Sequence, residues 1–323
     1  MKKITDNSLW SKLTMVVNAV LVLFFVLSMV FLMKFDKTNV KVVEARPHYE
    51  KSFENFTMAQ HPLKQDSAEV AYYQYKLDTL QERLATAPKD VKKTLEESIS
   101  VTKNTLSEKQ KKYDDRINSI QEQKAIYDPV KAEWDELNDA NAKTKSSFIV
   151  MAVITLVVFI VKLFFFATWN YKNSLNIHQA AKWMSKGMPA WMSYVGWIIP
   201  VYNLVKPLSF FKEIWQETDY ILEDREIVKI STEKKEKMVD NSELHIGIWW
   251  GLLLISAWLM NFILFKTFFA EGPLFLKANH GNVAIVAIII LVLCLVEEIN
   301  LILKYNKKNK MLAQNADKLE AGN

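Results

Sequence analysis

The chain has 323 residues, half of them hydrophobic, and its mean hydropathy is −0.01, so strongly apolar stretches must alternate with strongly charged ones. The formal net charge is only +5, and the lysines are interspersed with acidic residues, which argues against a nucleic-acid-binding protein. The only cysteine, Cys294, excludes an intrachain disulfide and a cysteine-based metal site. These totals predict a membrane protein with a large water-exposed part.

Four apolar runs are long enough to cross a bilayer, because a spanning helix needs about 20 mostly apolar residues. They predict transmembrane helices at 13–33, 147–168, 246–265 and 283–303. The first run is too long for a signal peptide and lacks a cleavage site of small residues, so we interpret it as a retained anchor.

Lysines beside these runs predict the orientation, because cytoplasmic flanks carry an excess of basic residues. They lie before the first run and after the second and fourth runs (Lys2, Lys3, Lys12, Lys172, Lys182, Lys186, Lys304, Lys307, Lys308, Lys310). Both termini, 1–12 and 304–323, and the segment 169–245 are therefore predicted to be cytoplasmic. The domain 34–146 and the short loop 266–282 are predicted to lie outside.

The segment 34–146 contains no glycine and balances acids against bases, which is typical of helices. Apolar residues recur at helical spacing in two rows, from Tyr73 to Leu84 and from Val91 to Tyr127. The stretch Ala-Thr-Ala-Pro-Lys-Asp separates the rows, so they predict an antiparallel helical hairpin. We expect Pro129 to interrupt its second arm before a last helix.

The heptad pattern of this hairpin is imperfect, since Thr102, Lys109 and Lys124 occupy positions where a zipper favours leucine. A bundle with the extended ends of the first two membrane helices and an intermolecular coiled coil over 64–128 both agree with this pattern.

A proline-containing apolar segment, 196–215, lies on the predicted cytoplasmic side. Pro200 and Pro207 each remove a backbone donor, which makes a straight span unfavourable. The segment is therefore predicted to be broken and interfacial, with its tryptophans at headgroup level.

Two spaced motifs surround this segment. Trp169, Tyr171 and Asn176 form W-x-Y-x(4)-N, and W-x-x-P-x-x-N-x-x-x-P is followed by F-x-K-E-I-W (Trp197, Pro200, Asn203, Pro207, Trp215). This pattern resembles the bacterial membrane-domain family catalogued as domain of unknown function 4328. The resemblance implies four helices around the W-x-x-P segment and a bacterial inner-membrane location. The family has no established activity, and the long insert between helices one and two departs from its usual pattern.

Ionisable residues within membrane helices are costly and mark candidate sites. Counted along their helices, Lys162, Glu297 and Glu298 lie at matching depth, and Asn18 lies near the same level. We expect Lys162 to pair with Glu297 or Glu298. Two other interpretations are that Lys162 extends its ammonium to the headgroups, and that the charges line a proton or ion pathway.

Sequence signatures of catalysis are not found: there is no nucleophile elbow, no H-E-x-x-H motif and no phosphate-binding glycine loop, and the histidines are dispersed. No catalytic residue, cofactor or metal site is therefore predicted.

The predicted function is a non-enzymatic inner-membrane scaffold or sensor-like subunit that contacts a partner or ligand through its outer helical domain. Two membrane helices flanking such a domain are similar in architecture to the ligand-binding part of bacterial chemoreceptors and sensor kinases. The alternative is a small transporter or oligomeric channel component that uses Lys162, Glu297 and Glu298. The predicted partners are the lipid bilayer and a protein bound through 64–128, which could be a second copy.

Overall fold

Seven helices make up nearly all of the described chain, and no strand occurs in the described ranges. The computed structural model describes residues 4–181, 188–198, 205–227, 232–269, 280–316 and 319. The helices are α1 (Ser8–Gln60), α2 (Leu63–Thr86), α3 (Lys89–Ala180), α4 (Met192–Ile198), α5 (Lys206–Asp224), α6 (Thr232–Phe269) and α7 (His280–Gln314).

Four of these helices, α1, α3, α6 and α7, contain stretches long and apolar enough to cross a membrane. The prediction of an all-helical chain with four such helices is therefore confirmed. The contacts divide the chain into two compact units. Unit 1 comprises Met1–Asp36 and Thr144–Asn323, and unit 2 comprises Lys37–Lys143.

The described residues of unit 1 form two hydrophobic clusters. One joins the four membrane helices and includes Leu21 and Met29 of α1, Phe148 of α3 and Ala287 of α7. The other includes Trp169 of α3, Trp249 of α6 and the buried face of α5. The opposite faces of the membrane helices expose large apolar side chains (Val16, Leu23, Val153, Leu156, Ile160, Ile255, Trp258, Ile289, Leu293). Such extensive apolar exposure suits contact with lipid chains.

Helix α5 is amphipathic, and its apolar face packs inside unit 1. Pro207 lies in its first turn, where a missing backbone N–H removes no helical hydrogen bond. The buried residues follow one face of the helix (Pro207, Phe210, Phe211, Ile214, Trp215, Thr218, Ile221, Leu222). Since these side chains contact protein, the helix is held by the bundle itself.

Unit 2 pairs α1 and then α2 with α3. Near one end, Thr38 Oγ1 donates to Asn141 Oδ1 at 3.1 Å. Further along α1, the ring of Tyr49 stacks on that of Trp134, with centroids 4.9 Å apart. Beyond α1, Glu69 of α2 meets Lys109 of α3. The residue numbers of these partners increase along α1 and α2 and decrease along α3, so α3 runs antiparallel to both helices.

The prediction that Pro129 interrupts the second arm is wrong, because α3 continues through this residue. Proline removes one helical hydrogen bond. Aromatic contacts hold α3 on both sides of it: Tyr127 stacks on Phe56 with centroids 4.9 Å apart, and Trp134 stacks on Tyr49. Packing of these rings offsets the lost bond and keeps the backbone helical.

Candidate functional site: a buried charge network among four membrane helices

One buried carboxylate receives a donor from each of three other membrane helices. Glu298 of α7 accepts from Lys162 of α3 at 2.7 Å and from Trp249 Nε1 of α6 at 3.0 Å, both at Oε2. Its Oε1 accepts from Asn18 Nδ2 of α1 at 3.1 Å. All four helices that could cross a membrane therefore meet at one side chain.

Because Lys162 and Glu298 are buried, the stability of this network depends strongly on their pairing with each other. The side chains of Lys162 and Glu298 are 0% and 1% exposed. The ammonium also lies 5.3 Å from the ring centroid of Phe166. An isolated charge in such surroundings is unfavourable by several kcal/mol, and a matched pair with further hydrogen bonds largely removes that cost.

Glu297, which precedes Glu298 in the chain, has a different partner. Glu297 pairs with His245, whose side chain is 36% exposed, whereas that of Glu297 is 18% exposed. Successive residues of a helix diverge by about 100°, so two adjacent glutamates cannot face the same partner. The pattern left Glu297 and Glu298 as alternatives for Lys162, and the structure places Glu298 there.

Two residues of the W-x-Y-x(4)-N motif, Trp169 and Asn176, belong to a second polar layer beside the Glu298 network. Trp169 Nε1 donates to Asn306 Oδ1 at 3.2 Å, and Asn306 Nδ2 donates to Ser11 Oγ at 2.7 Å. Asn176 Nδ2 donates to the carbonyl of Thr5 and to Asn309 Oδ1, at 2.7 and 2.9 Å. Trp169 and Asn176 therefore connect the start of the chain, α3 and α7.

The remaining motif residues that the structure describes belong to an aromatic core. Tyr171 contacts Tyr194 of α4 with ring centroids 5.5 Å apart, and Trp197 contacts Trp250 at 5.8 Å. Trp215 is 3% exposed. Pro200 and Asn203 lie outside the described residues. Trp169 and Trp215 are thus enclosed by protein.

Several interacting residues were not predicted. Trp249 completes the Glu298 network, Tyr305 shares a 2.8 Å hydrogen bond with Thr218, and Asp219 pairs with Lys308. The Lys308 ammonium also lies 4.5 Å from the ring centroid of Trp215. Their only sequence signal is a polar side chain on the helix face that otherwise carries apolar residues, and this signal names no partner.

Two acidic side chains of α2, Asp66 and Glu69, join it to α3 in unit 2. Asp66 is 2% exposed and contacts Lys112 Nζ at 2.7 Å and Arg116 Nε at 3.2 Å. The hydrogen bond from Lys112 lowers the pKa of Asp66 below its ordinary value, and that from Arg116 adds to the effect. A second contact, Lys109 with Glu69 at 2.7 Å, lowers the pKa of Glu69.

One acidic residue of α5, Glu217, has a pKa well above its ordinary value. Burial raises the pKa of Glu217 to about 7, and the negative charge of Glu213 one turn away acts in the same direction. No group of three or more His, Cys, Asp or Glu side chains suited to a metal ion occurs in the described part of the chain.

The helices and the buried charge network define the class: a multi-pass, all-helical membrane protein. The chain belongs to the family described as Domain of unknown function (DUF4328), whose family model matches residues 136–307, just over half of the chain. The resemblance seen in the sequence motifs is therefore confirmed. Comparison with curated proteins gives no match, and comparison with solved structures gives none.

Proposed function

We propose that this protein is a non-enzymatic membrane scaffold or sensor-like subunit. The observation that supports it is the Glu298 network, in which every donor comes from a different membrane helix and the charge pair is enclosed by protein. Such a network holds helices in register and stabilises one arrangement of the bundle. The bundle then serves to anchor unit 2, which carries the contact surface.

The proposed location is a bacterial inner membrane, with both termini in the cytoplasm and 34–146 outside. Exposed lysines near the start of α1 and the end of α7 support this orientation, because basic flanks stay on the cytoplasmic side (Lys12, Lys304, Lys307, Lys310). In this arrangement α4 and α5 lie on the cytoplasmic side.

The proposed contact surface is the helical hairpin formed by α2 and the facing part of α3. The ion pairs of Asp66 and Glu69 hold these helices together within one chain. Large side chains remain exposed on the outer face of α2: Tyr72 is 59% exposed and Tyr75 is 71% exposed. Aromatic residues of this kind are favoured in protein interfaces, so this face suits a protein partner or a second copy.

Photocrosslinking in cells tests the proposal. A photoreactive residue at Tyr72 or Tyr75 should capture a defined protein, identified by mass spectrometry. The matched control is Leu77 of the same helix, which is only 8% exposed; from there we expect only crosslinks within the chain. If the two exposed positions capture no more than Leu77 does, this surface is not an interface.

The second candidate is transport, and one observation favours it. His245 and Glu297 form a partly exposed titratable pair directly beside Glu298 in sequence, which could connect the surface to the buried network. Under this proposal, Lys162→Met combined with Glu298→Gln should fold and abolish proton flux in vesicles loaded with a pH-sensitive dye. Flux equal to that of the unaltered protein, or no flux from either, excludes transport by this network.

A further inference from the structure

One exposed face of α7 carries apolar residues along most of the helix and basic residues near its C-terminal end. Large exposed apolar residues occupy it at spacings of three and four from Val286 to Val296, and Leu303 follows seven residues later on the same face (Val286, Ile289, Leu293, Val296, Leu303). Lys304, Lys307 and Lys310 continue the same face and are exposed. The three lysines span about 9 Å along the helix, comparable with the depth of one headgroup layer.

Helix α1 adds a fourth lysine at the same end of the bundle. Lys12 is exposed and precedes the exposed apolar residues Val16 and Val20 by one and two turns. The hydrogen bond between Asn306 Nδ2 and Ser11 Oγ, 2.7 Å long, brings α1 beside α7 at this level. Lys12 follows Ser11 and Lys307 follows Asn306, so each helix carries an exposed basic residue next to this contact.

These exposed lysines have no ion-pair partner among the residues that the structure describes. Lys308, which lies between them in sequence, behaves differently: it is 9% exposed and pairs with Asp219 inside the bundle. Internal charge is thus neutralised on one side of α7, while positive charge accumulates on the lipid-facing side.

We propose that Lys304, Lys307 and Lys310, together with Lys12, bind the phosphate of an anionic phospholipid. The acyl chains of that lipid lie along the apolar stripe that ends at Leu303. The continuity of the two surfaces identifies the ligand: a free phosphate would use only the lysines, whereas a phospholipid uses both parts. The inference goes beyond the scaffold proposal, and it depends neither on unit 2 nor on the orientation of the chain.

Native mass spectrometry of the full chain in detergent tests this site, with phosphatidylglycerol and phosphatidylcholine of identical acyl chains as probes. We expect tighter binding of phosphatidylglycerol, weakened by added salt. The triple change K304Q/K307Q/K310Q should reduce this preference at least about tenfold, since each lysine near an anionic headgroup contributes to binding. The variant K304R/K307R/K310R should keep the preference.

The matched control is K92Q/K93Q/K103Q, which removes the same charge from exposed positions of unit 2 and should leave the preference unchanged. Equal binding of the two lipids by the unaltered protein would overturn the proposal. So would an undiminished preference in the triple glutamine variant, an equal loss in the control, or displacement of the lipid by inorganic phosphate. If the triple variant does not fold, K12Q/K307Q is measured instead, with the same expected direction.

Discussion

At the scale of single residues, Lys162 shows how a membrane bundle accommodates a full charge. Its ammonium lies 2.7 Å from Glu298 Oε2 and is enclosed by protein. Glu298 in turn has three donors, so the pair is hydrogen-bonded as well as electrically matched. Removing either partner leaves the other buried and unpaired, which is more unfavourable than removing both.

Lys162→Met should therefore lower the free energy of unfolding by roughly 3–5 kcal/mol. The double change Lys162→Met/Glu298→Gln should restore part of the loss, because the amide is uncharged and its one oxygen can still accept from Asn18 or from Trp249. Unfolding of the full chain in mixed micelles, followed by circular dichroism, measures both effects. The control is Lys145→Met at an exposed position of the same helix. A Lys162→Met protein as stable as the control would contradict the proposed role of the pair.

Asn176→Ala tests the second polar layer. It removes hydrogen bonds with the backbone of Thr5 and with Asn309, and leaves the buried Asn309 amide oxygen without this donor. The expected loss is roughly 1–3 kcal/mol. It should be accompanied by faster hydrogen exchange over residues 4–14. Asn261→Ala is the matched change, because that exposed amide donates to Ala257 in its own helix. Equal effects of the two substitutions would show that Asn176 does not link the helices.

At the scale of elements, helix pairing in unit 2 is controlled by a few charges. Asp66 holds α2 to α3 through Lys112 and Arg116. Its folded-state pKa is lowered, so its carboxylate stabilises the pairing fully above its ordinary pKa of about 3.8. That contribution is lost as the pH falls through the still lower folded-state value.

Hydrogen exchange of residues 63–86 in the full chain, corrected for the intrinsic rates, should show this loss. Between pH 6 and pH 3, we expect protection to fall in the unaltered protein. Asp66→Asn should be less protected at pH 6 and should change less with pH. Asp90→Asn, at an exposed position in the first turn of α3, should behave as the unaltered protein does. Identical pH profiles for the Asp66→Asn and unaltered chains would exclude this ion pair as the cause.

Glu217 predicts that the stability of unit 1 falls as the pH rises, which is the opposite of the effect of Asp66. Its pKa is raised from an ordinary 4.5 to about 7, so the folded state favours the neutral acid. Its ionisation therefore destabilises the fold increasingly as the pH rises from 4.5 to 7, and fully above 7. Glu217→Gln should be more stable than the unaltered protein at pH 8 and no more stable at pH 4. Melting temperatures across this range test it, with exposed Glu226→Gln as the matched change. A stability gain that is the same at both pH values would refute the assignment.

At the scale of the whole molecule, unit 1 has an interior of its own. The two hydrophobic clusters of unit 1 contain only residues from Met1–Asp36 and Thr144–Asn323. The two ends of unit 2, Lys37 and Lys143, lie close to a hydrogen-bonded contact in which Asn141 of α3 bonds to Thr38 and Asn39 of α1. Helices α1 and α3 therefore lie side by side where unit 2 begins and ends. A short linker could therefore replace unit 2.

Replacing Lys37–Lys143 by a short glycine-serine linker should leave the membrane bundle folded. We expect a melting temperature within about 4 °C of that of the full chain, the shift expected for a change of ~1 kcal/mol. Size-exclusion chromatography and thermal unfolding in the same detergent provide the comparison. An aggregated product, or one without a cooperative transition, would mean that the bundle requires unit 2.

The four membrane helices could be recognised from sequence because a spanning helix needs only a long apolar run, which is a local property. The family also followed from local spacing, with Trp169 and Asn176 near the end of α3 and Trp197 in α4. That Lys162 and Glu298 lie at matching depth followed from counting residues along regular helices, and their contact agrees with it.

Only the tertiary structure decided which groups meet. The choice between Glu297 and Glu298 depends on how α7 is rotated about its axis, and that rotation is set by packing against three other helices. The continuity of α3 through Pro129 depends on rings contributed by α1, more than 70 residues earlier in the chain. Apolar length, motif spacing and depth were thus determined by the sequence alone, because each depends on neighbouring residues of one helix. Pairing and enclosure were decided by the fold, because each depends on residues that are distant in the chain.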